Sequence, residues 1–495
     1  MPPTLSQLIW DLPYQKTQGN LEVVIEGLSY DSRKVNPGDL FFALCGKNED
    51  GHRYIPSAIE KGAKAILCEK KGPSKENVPT IWVPDSRIAL GEISSRFFSD
   101  PSKDLEVLGL TGTNGKTTLS FLCEEILKKS QISVGVTGTI NCRFGNTSIP
   151  SLLTTPESLD YHALLEKMKG QGVTHVISEI SSHSLEMKRC EGVSFKGAVF
   201  TNLSRDHLEF HETMEKYYLA KSKLFNHYLR QSKKKNPWAV VNIDDVYGKR
   251  LQKEYQGKLL TYALENTEAD FFAKDSKFSS KGFEAKIQTP KGEISLETHL
   301  LGQHNLSNCL AALAVAEAWG MENSLAIEAL SHLKRIPGRL DSVPNQQGKT
   351  VLIDYAHTPD ALEKVLLALQ PLVMNGGKLR CLFGCGGDRD SGKRSIMGEL
   401  ACVHADWVMI TSDNPRTEDP RKIIEDILKG IPSSFKEFQV EIDRKKAIQK
   451  ALSKTSQRDI LLIAGKGHED YQILGKERIE FDDFKISQKI LQGNL

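Results

Sequence analysis

The 495-residue chain is short of the features that mark several functional classes. No apolar run approaches the ~18 residues of a membrane span. The first twenty residues carry no basic-then-apolar leader, so a cytoplasmic protein without membrane attachment is expected. Basic excess is missing too: 65 Lys and Arg against 63 Asp and Glu leave a formal charge of +2. A dedicated nucleic-acid binder carries a visible basic surplus, so no nucleic-acid partner is expected. There is no fixed-period repeat and no low-complexity tract. The nine cysteines are an odd number and scattered. The closest pair, Cys381 and Cys385, lies among apolar residues, which suits buried reduced thiols better than disulfides or zinc.

What is present is an α/β pattern in three parts. Length alone allows about three domains at ~100–200 residues each. Asp39–Leu44 and Ala63–Glu69 read as strands around a helix at Tyr54–Lys61, and a break follows at Phe98–Ser102. The middle part alternates apolar strands (Leu105–Leu110, His175–Ile180, Gly197–Asn202, Ala239–Ile243) with helices, a parallel-sheet signature. Residues 270–300 read as antiparallel strands, and after Gln303-His304-Asn305 a helix is expected over Asn308–Trp319. The last part reads as strands Val351–Tyr355, Leu379–Phe383, Trp407–Thr411 and Ile460–Ala464 with helices between, a doubly wound Rossmann-like sheet. Expected boundaries are 1–102, 103–335 and 336–495. In such sheets ligands bind beyond the carboxyl ends of strands, where Asp354, Asp388, Asp413 and Lys466 fall.

The sharpest motif is Gly112-Thr113-Asn114-Gly115-Lys116-Thr117-Thr118, between a strand and the helix Lys116–Lys129. Glycines there let backbone N–H groups face phosphate oxygens, and the helix N-terminus adds positive potential. Lys116 suits the β/γ-phosphates and Thr117 a Mg²⁺ shell. The loop is two residues shorter between its glycines than the common pattern. Strand ends then supply Glu179, within Glu179–His183, and His207, within Asn202–His207. Fourteen residues on comes Lys221, on an expected helix. Glu and His at strand ends of a parallel sheet would point into the crevice of the phosphate loop, and both can ligate Mg²⁺.

These segments, with Leu301–Asn308, Pro337-Gly338-Arg339, Asp354–Pro359, Tyr30–Arg33, Pro37–Phe41 and Asp50–His52, occur in the order seen in the Mur ligase family, which the chain resembles along its length. The resemblance implies three domains: one for a UDP-sugar, a central P-loop ATPase domain, and a third for the incoming amino acid. It implies an ATP-dependent amide-bond ligase that forms an acyl phosphate and releases ADP and phosphate in peptidoglycan precursor synthesis, and so serves cell-wall biogenesis, cell shape and division. It places Lys116, Glu179, His207 and Lys221 at the catalytic centre. Thr117, Glu179, His207 and Lys221 would hold Mg²⁺, with Lys221 carrying a carbamate. Gly112 to Thr118, Asn305, Asn308, Arg339 and Asp354 would contact ATP. Tyr30, Ser32, Lys47, Asn48 and Glu49 would hold uridine, and Thr154, Thr155, Ser181, Met187 and Arg189 the rest of a UDP-muramoyl dipeptide. Leu153 and Met187 depart from the Asn and Gln of some relatives.

Within the family, Asp413-Asn414-Pro415-Arg416 matches members that add diaminopimelate, the meso form being expected, with Arg389, Gly465 and Glu469 as further contacts. The chemistry agrees. Diaminopimelate has a second amino-acid head that lysine lacks, and its carboxylate suits the planar fork of Arg416. Its ammonium suits Asp413 or Glu469. A lysine-adding or folylpolyglutamate-type ligase is the first alternative; Arg416 speaks against the former and the uridine motifs against the latter. An ATP-driven switch is a second. Small molecules are the expected partners, and a monomer the expected state.

Overall fold

The computed structural model describes residues 2–46, 49–70 and 78–493. They form three main sheets, each buried against its own helices. The first has five strands, with Lys16–Gln18, Thr80–Trp82, Ala65–Cys68, Asp39–Phe42 and Gly27–Ser29 side by side. All pairings but that of Lys16–Gln18 are parallel. Two clusters, around Leu40 and Leu67 and around Phe41 and Ile66, cover its two faces.

The second sheet has eleven strands. Its centre is parallel: Trp238–Asn242, Phe195–Phe200, Glu106–Thr111, His175–Glu179 and Val134–Thr137. These strands are apolar and buried on both faces, as strands covered by helices on two sides must be. Phe271–Ser279, Gly282–Thr289 and Gly292–Thr298 extend one side as antiparallel hairpins. Their alternating burial shows that only one face is covered.

The third sheet runs Asp341–Ser342, Thr350–Asp354, Ile460–Ala464, Leu379–Phe383, Trp407–Ile410 and Phe438–Val440. Only its first, two-residue strand is antiparallel. Clusters on both faces make it doubly wound. Placing Ile460–Ala464 between Thr350–Asp354 and Leu379–Phe383 brings Asp354, Gly465 and the segment after Ile410 to one rim. On the face packed by Ala447 and Ile448, Arg444 and Asp483 form a fully buried pair at 2.7 Å. Arg444 opens the helix Arg444–Lys454, whose N-cap, Asp443, accepts from the Lys445 and Lys446 amides at 2.9 and 3.1 Å. Asp443→Ala keeps the buried pair and removes only the cap. It is expected to cost about 1 kcal/mol, seen calorimetrically as a lower melting temperature for this unit.

The expected strands are present to within two residues at most ends. One boundary differs more. The helix after Gly302 begins at Gln303, five residues before the expected Asn308. Gly302, at φ +87°, makes the break, so the polar Gln303-His304-Asn305 forms the first helical turn rather than a loop. Among the described residues no helix is long and apolar enough to cross a membrane.

Candidate functional site

The phosphate-type loop leaves the carboxyl end of Glu106–Thr111, and the helix Lys116–Lys129 begins in it. Gly112 and Gly115 stand at φ +145° and +90°. A Cβ on Gly112 would lie 1.9 Å from Thr201 Oγ1, and one on Gly115 2.6 Å from Asn308 Oδ1. Both the conformation and the close approach demand glycine. The neighbouring strand end scaffolds the loop. Thr113 N donates to Asn202 O at 2.9 Å. Asn114 N donates to Asn202 Oδ1 at 2.9 Å, and Thr201 Oγ1 to Asn114 O at 2.6 Å.

Two lysines meet at this loop. Lys116 Nζ donates to Gly112 O at 2.7 Å and Thr113 O at 2.9 Å. Lys221 lies on the helix Met214–Lys223, only 1% exposed, and donates to the same Gly112 O at 2.8 Å. Burial lowers the pKa of both, and that of Lys221 falls well below the usual lysine range, pushed further by the Lys116 charge. The Tyr217 ring lies 4.7 Å from Lys221 Nζ, and its hydroxyl shares a hydrogen bond with Thr113 Oγ1 at 3.2 Å.

Glu179 ends its strand beside the loop and is 2% exposed. Its Oε2 accepts from Thr117 Oγ1 at 2.9 Å and Thr139 Oγ1 at 2.8 Å, and its Oε1 from Thr139 N at 3.2 Å. His207 is not at a strand end. It is the left-handed N-cap, φ +54°, of the short helix Leu208–His211. Its nitrogens lie 3.4 Å from Asp206 and 3.6 Å from Glu209, and its ring meets His183 edge-on at 4.8 Å. Burial lowers the pKa of His207 and holds His183 and His211 near 4, so all three offer neutral imidazole at physiological pH. Thr117, Glu179 and Lys221 thus converge on the loop, while His207 turns toward its own carboxylates.

Among the described residues, Cys45, Asp50 and His52 alone are gathered as tightly as ligands of one ion. Their hydrogen bonds argue otherwise. His52 Nε2 accepts from the Glu69 and Lys70 amides at 3.0 and 3.1 Å, so the ring proton sits on Nδ1 and is given to Asp50 at 2.5 Å. Lys70 Nζ takes the other Asp50 oxygen at 3.0 Å. The trio is a satisfied turn lock.

The third unit reaches the loop twice. Arg339 Nη2 donates to Thr117 Oγ1 at 3.2 Å, with its guanidinium 4.9 Å from the Tyr355 ring and a buried Nε left without a partner. Asp360 Oδ2 accepts from Asn114 Nδ2 and Ser204 Oγ, each at 2.9 Å. Asp354 holds its own turn, accepting from the Leu340 and Ala356 amides at 2.7 and 2.8 Å. Asn308 Nδ2 donates to Asn305 Oδ1 at 3.2 Å, and Asn305 Nδ2 to Leu301 O at 2.8 Å.

Of the residues assigned to a UDP-substrate, Tyr30 and Met187 take part in contacts between the first two units. Tyr30 OH donates to Asp160 at 2.5 Å. Glu157 takes Arg87 at 3.0 Å and Arg189 at 3.2 Å. Arg189 also reaches Thr155 O at 3.3 Å and Met187 Sδ at 3.3 Å. Thr155 Oγ1 donates to Glu179 O at 2.9 Å and accepts from Ser181 N at 3.0 Å, tying this wall to the main chain at Glu179. Thr154 contacts Thr139 through their hydroxyls at 3.3 Å. The Ser32 carbonyl accepts from Lys61 Nζ at 2.9 Å, and exposed Glu49 from Tyr54 OH at 3.3 Å. Lys47 and Asn48 lie outside the described residues.

At the third rim, Asp413, Asn414 and Pro415 are buried and Arg416, at φ +51°, is half-buried. Asn414 Nδ2 donates to Glu469 at 2.8 Å. Fully buried Lys466 donates to Glu469 at 3.1 Å and Asn414 Oδ1 at 3.3 Å. Glu469 is therefore already paired. The Asp413 carboxylate, by contrast, accepts no hydrogen bond from any described residue, and a Cβ on Gly465 would meet it at 2.7 Å. Arg416 commits only Nη1, to Gly387 O at 2.7 Å and, more weakly, Asn414 O at 3.5 Å, leaving one side of its fork open. Arg389 is exposed and stands apart from these contacts.

Sequence reasoning missed Thr139, Tyr217 and Asp360. Tyr217 was within reach of it, lying four residues before Lys221 on one helix face. Thr139 and Asp360 act through the fold and carry no local signal.

Three family descriptions match the chain in order. They are the Mur ligase family catalytic domain over residues 24–98, the Mur ligase middle domain over 110–316, and the Mur ligase glutamate ligase domain over 338–467. A Clostridium tetani protein named UDP-N-acetylmuramoyl-L-alanyl-D-glutamate–2,6-diaminopimelate ligase is 39% identical over 494 residues, 99% of both chains. A protein of the same name from Caldanaerobacter subterraneus subsp. tengcongensis is 42% identical over 476 residues, 96% of each. A solved structure under that name aligns with TM-score 0.71 at 33% identity, over 100% of this chain and 99% of that one. MurF ligase from Thermotoga maritima in complex with ADP shares the fold at TM-score 0.64 and 21% identity, over 94% and 98%. On its ordered motifs, its three sheets and these full-length likenesses, the chain belongs to the Mur ligase family.

Proposed function

We propose that the protein is an ATP-dependent ligase that joins diaminopimelate to UDP-N-acetylmuramoyl-L-alanyl-D-glutamate. The observation that carries this is the third rim. A buried carboxylate that accepts no hydrogen bond from any described residue, Asp413, lies three residues after a β-strand and three before a guanidinium with one open side, Arg416. Opposite charges so placed fit the ammonium and carboxylate of an amino-acid head, which lysine's side chain would leave unmatched. Unmatched buried polar groups reject an analogue more strongly than a missing methylene does. Relatives named for this activity span the whole chain, which supports the same reading. The three units are taken as domains over 1–102, 103–335 and 336–495, for UDP-substrate, ATP and amino acid.

ATP is assigned to the loop Gly112–Thr118 and the seam with the third unit, where Asn305, Asn308, Arg339 and Asp354 lie. The donors near the loop suit Mg²⁺: the Thr117 hydroxyl and the Glu179 carboxylate are hard oxygen ligands, and His207 and a carbamate on Lys221 would complete the set. Magnesium, when bound, neutralises charge on the triphosphate. Lys221 fits its carbamate because its depressed pKa supplies neutral amine. That amine adds to CO₂ with loss of one proton, converting a neutral nitrogen into an anionic oxygen donor.

The substrate carboxylate then attacks the γ-phosphate, with Lys116 leaving the Gly112 and Thr113 carbonyls to screen the two anions. ADP leaves, and the acyl phosphate forms. The neutral amine of diaminopimelate, oriented by Asp413 and Arg416, adds to the acyl carbon, and phosphate departs carrying the amine's proton as the amide forms. Orientation is the main contribution of the third rim.

The test is ADP release by the purified protein with the UDP-muramoyl dipeptide, ATP and Mg²⁺, comparing diaminopimelate, lysine and no amino acid. Release only with diaminopimelate, alongside a product of tripeptide mass, is expected. Equal release with lysine would overturn the selector reading, and release without any amino acid would favour an ATPase switch.

A further inference from the structure

Asp360 does no work in the chemistry above, yet three donors from two units converge on it. It occupies the first turn of the helix Pro359–Leu369, behind the N-cap Thr358. Asn114 reaches it from the phosphate loop, and Ser204 from the segment that scaffolds that loop, each at 2.9 Å. Lys364, one turn along its own helix, pairs with its other oxygen at 2.9 Å. Lys364 offsets a negative charge that would otherwise repel a triphosphate. Asn114's backbone is committed to Asn202 and Thr201, so its amide side chain is the part of the loop free to report outward.

The second bridge between the units differs in kind. Arg339 donates to Thr117 Oγ1, the hydroxyl assigned to magnesium, and this contact competes with metal–nucleotide binding. The Asp360 bridge uses only the Asn114 and Ser204 side chains, while phosphate is assigned to main-chain N–H groups of the loop and to Lys116, so the bridge can persist while the nucleotide is bound. Resting on the ATP reading of the loop, we infer that Asp360 is a positioning residue, an interdomain latch that holds the amino-acid domain against the loaded phosphate loop through Asn114 and Ser204.

A latch acts on the step that needs both domains aligned, attack by diaminopimelate. Asp360→Ala is expected to lower kcat/KM for diaminopimelate about tenfold, the order expected for hydrogen bonds to a charged acceptor, with the KM for ATP changed less than about threefold. Asp360→Asn keeps an amide oxygen that can accept from both donors and should restore most of the loss. Ser204→Ala should reproduce part of it, and the double variant Ser204→Ala/Asp360→Ala should be no worse than Asp360→Ala. Small-angle scattering of the ligand-free full chain should show Asp360→Ala more extended than wild type, with an unchanged melting temperature. The inference is overturned if wild type ligates and Asp360→Ala matches it in kcat/KM and scattering, if Asp360→Asn is as impaired as Asp360→Ala, or if the defect follows a drop in melting temperature. A wild type without ligation would sink the proposed function instead, and the scattering comparison would still decide whether the latch exists.

Discussion

Lys221→Ala is expected to lower kcat about a thousandfold, and added formate or acetate to recover part of it. The size follows from where the side chain is. Lys221 is buried against Gly112 O, the carbonyl that also holds Lys116, so two ammonium groups compete for one acceptor. That crowding, with desolvation, drives Lys221 toward the neutral amine, the form that captures CO₂. A carbamate there would add an anionic oxygen at the loop that carries Thr117. Alanine removes the ligand and leaves a space lined by Gly112 and Tyr217 that a small carboxylate can enter. A lysine needed only for packing would show no such rescue. Initial rates of ADP release with and without the acids, and a carbamate resonance labelled from ¹³C-bicarbonate that is present in wild type and missing in the variant, check the two halves separately. Full activity of the unrescued variant would end the carbamate reading.

Much of the fold was legible because its signals are local. The parallel strands are short apolar runs bounded by polar turns, and the hairpins at 271–298 show the alternation of one-sided burial. The phosphate loop was legible for a similar reason. Gly112 and Gly115 occupy backbone conformations that only glycine adopts easily, and they stand next to the lysine and threonine the chemistry needs. The start of the helix at Gln303 was not legible. A polar Gln-His-Asn run reads as a loop, yet here it faces the seam between units, and Gly302 before it supplies the break.

Residues whose roles depend on contacts across units were less visible. Glu179 sits at a strand end, as its apolar run implied, but Thr139 fixes its rotamer from a loop forty residues away. Glu469 looked like a free carboxylate for an ammonium. Buried Lys466, three residues before it, already neutralises it and leaves Asp413 as the open acceptor. Spacing along the chain gives no hint of which of the two carboxylates is spent, since that depends on how Gly465–Glu469 folds back over Asn414.

Arg416→Ala is expected to raise the KM for diaminopimelate roughly a hundredfold, with the KM for ATP within about twofold. The backbone at Arg416 is left-handed, φ +51°, and is held by Arg416 N to Ile473 O at 3.1 Å and Gly475 N to Arg416 O at 2.7 Å. Alanine keeps the Cβ and both main-chain bonds, so the strain at this position is the same in both proteins and the change reads the guanidinium alone. Nη1 is spent on Gly387 O, which fixes the fork rather than letting the side chain sweep through solvent. A bidentate guanidinium–carboxylate pair has directionality that a lysine ammonium lacks, so Arg416→Lys should recover little. Lysine as nucleophile has no second carboxylate to lose. The preference for diaminopimelate over lysine should therefore shrink by about the same factor as the KM rises. Steady-state kinetics with the two amino acids measure this directly, and an unchanged preference, or equal rises in both KM values, would assign Arg416 to holding the Gly386–Gly387 loop instead of choosing the substrate.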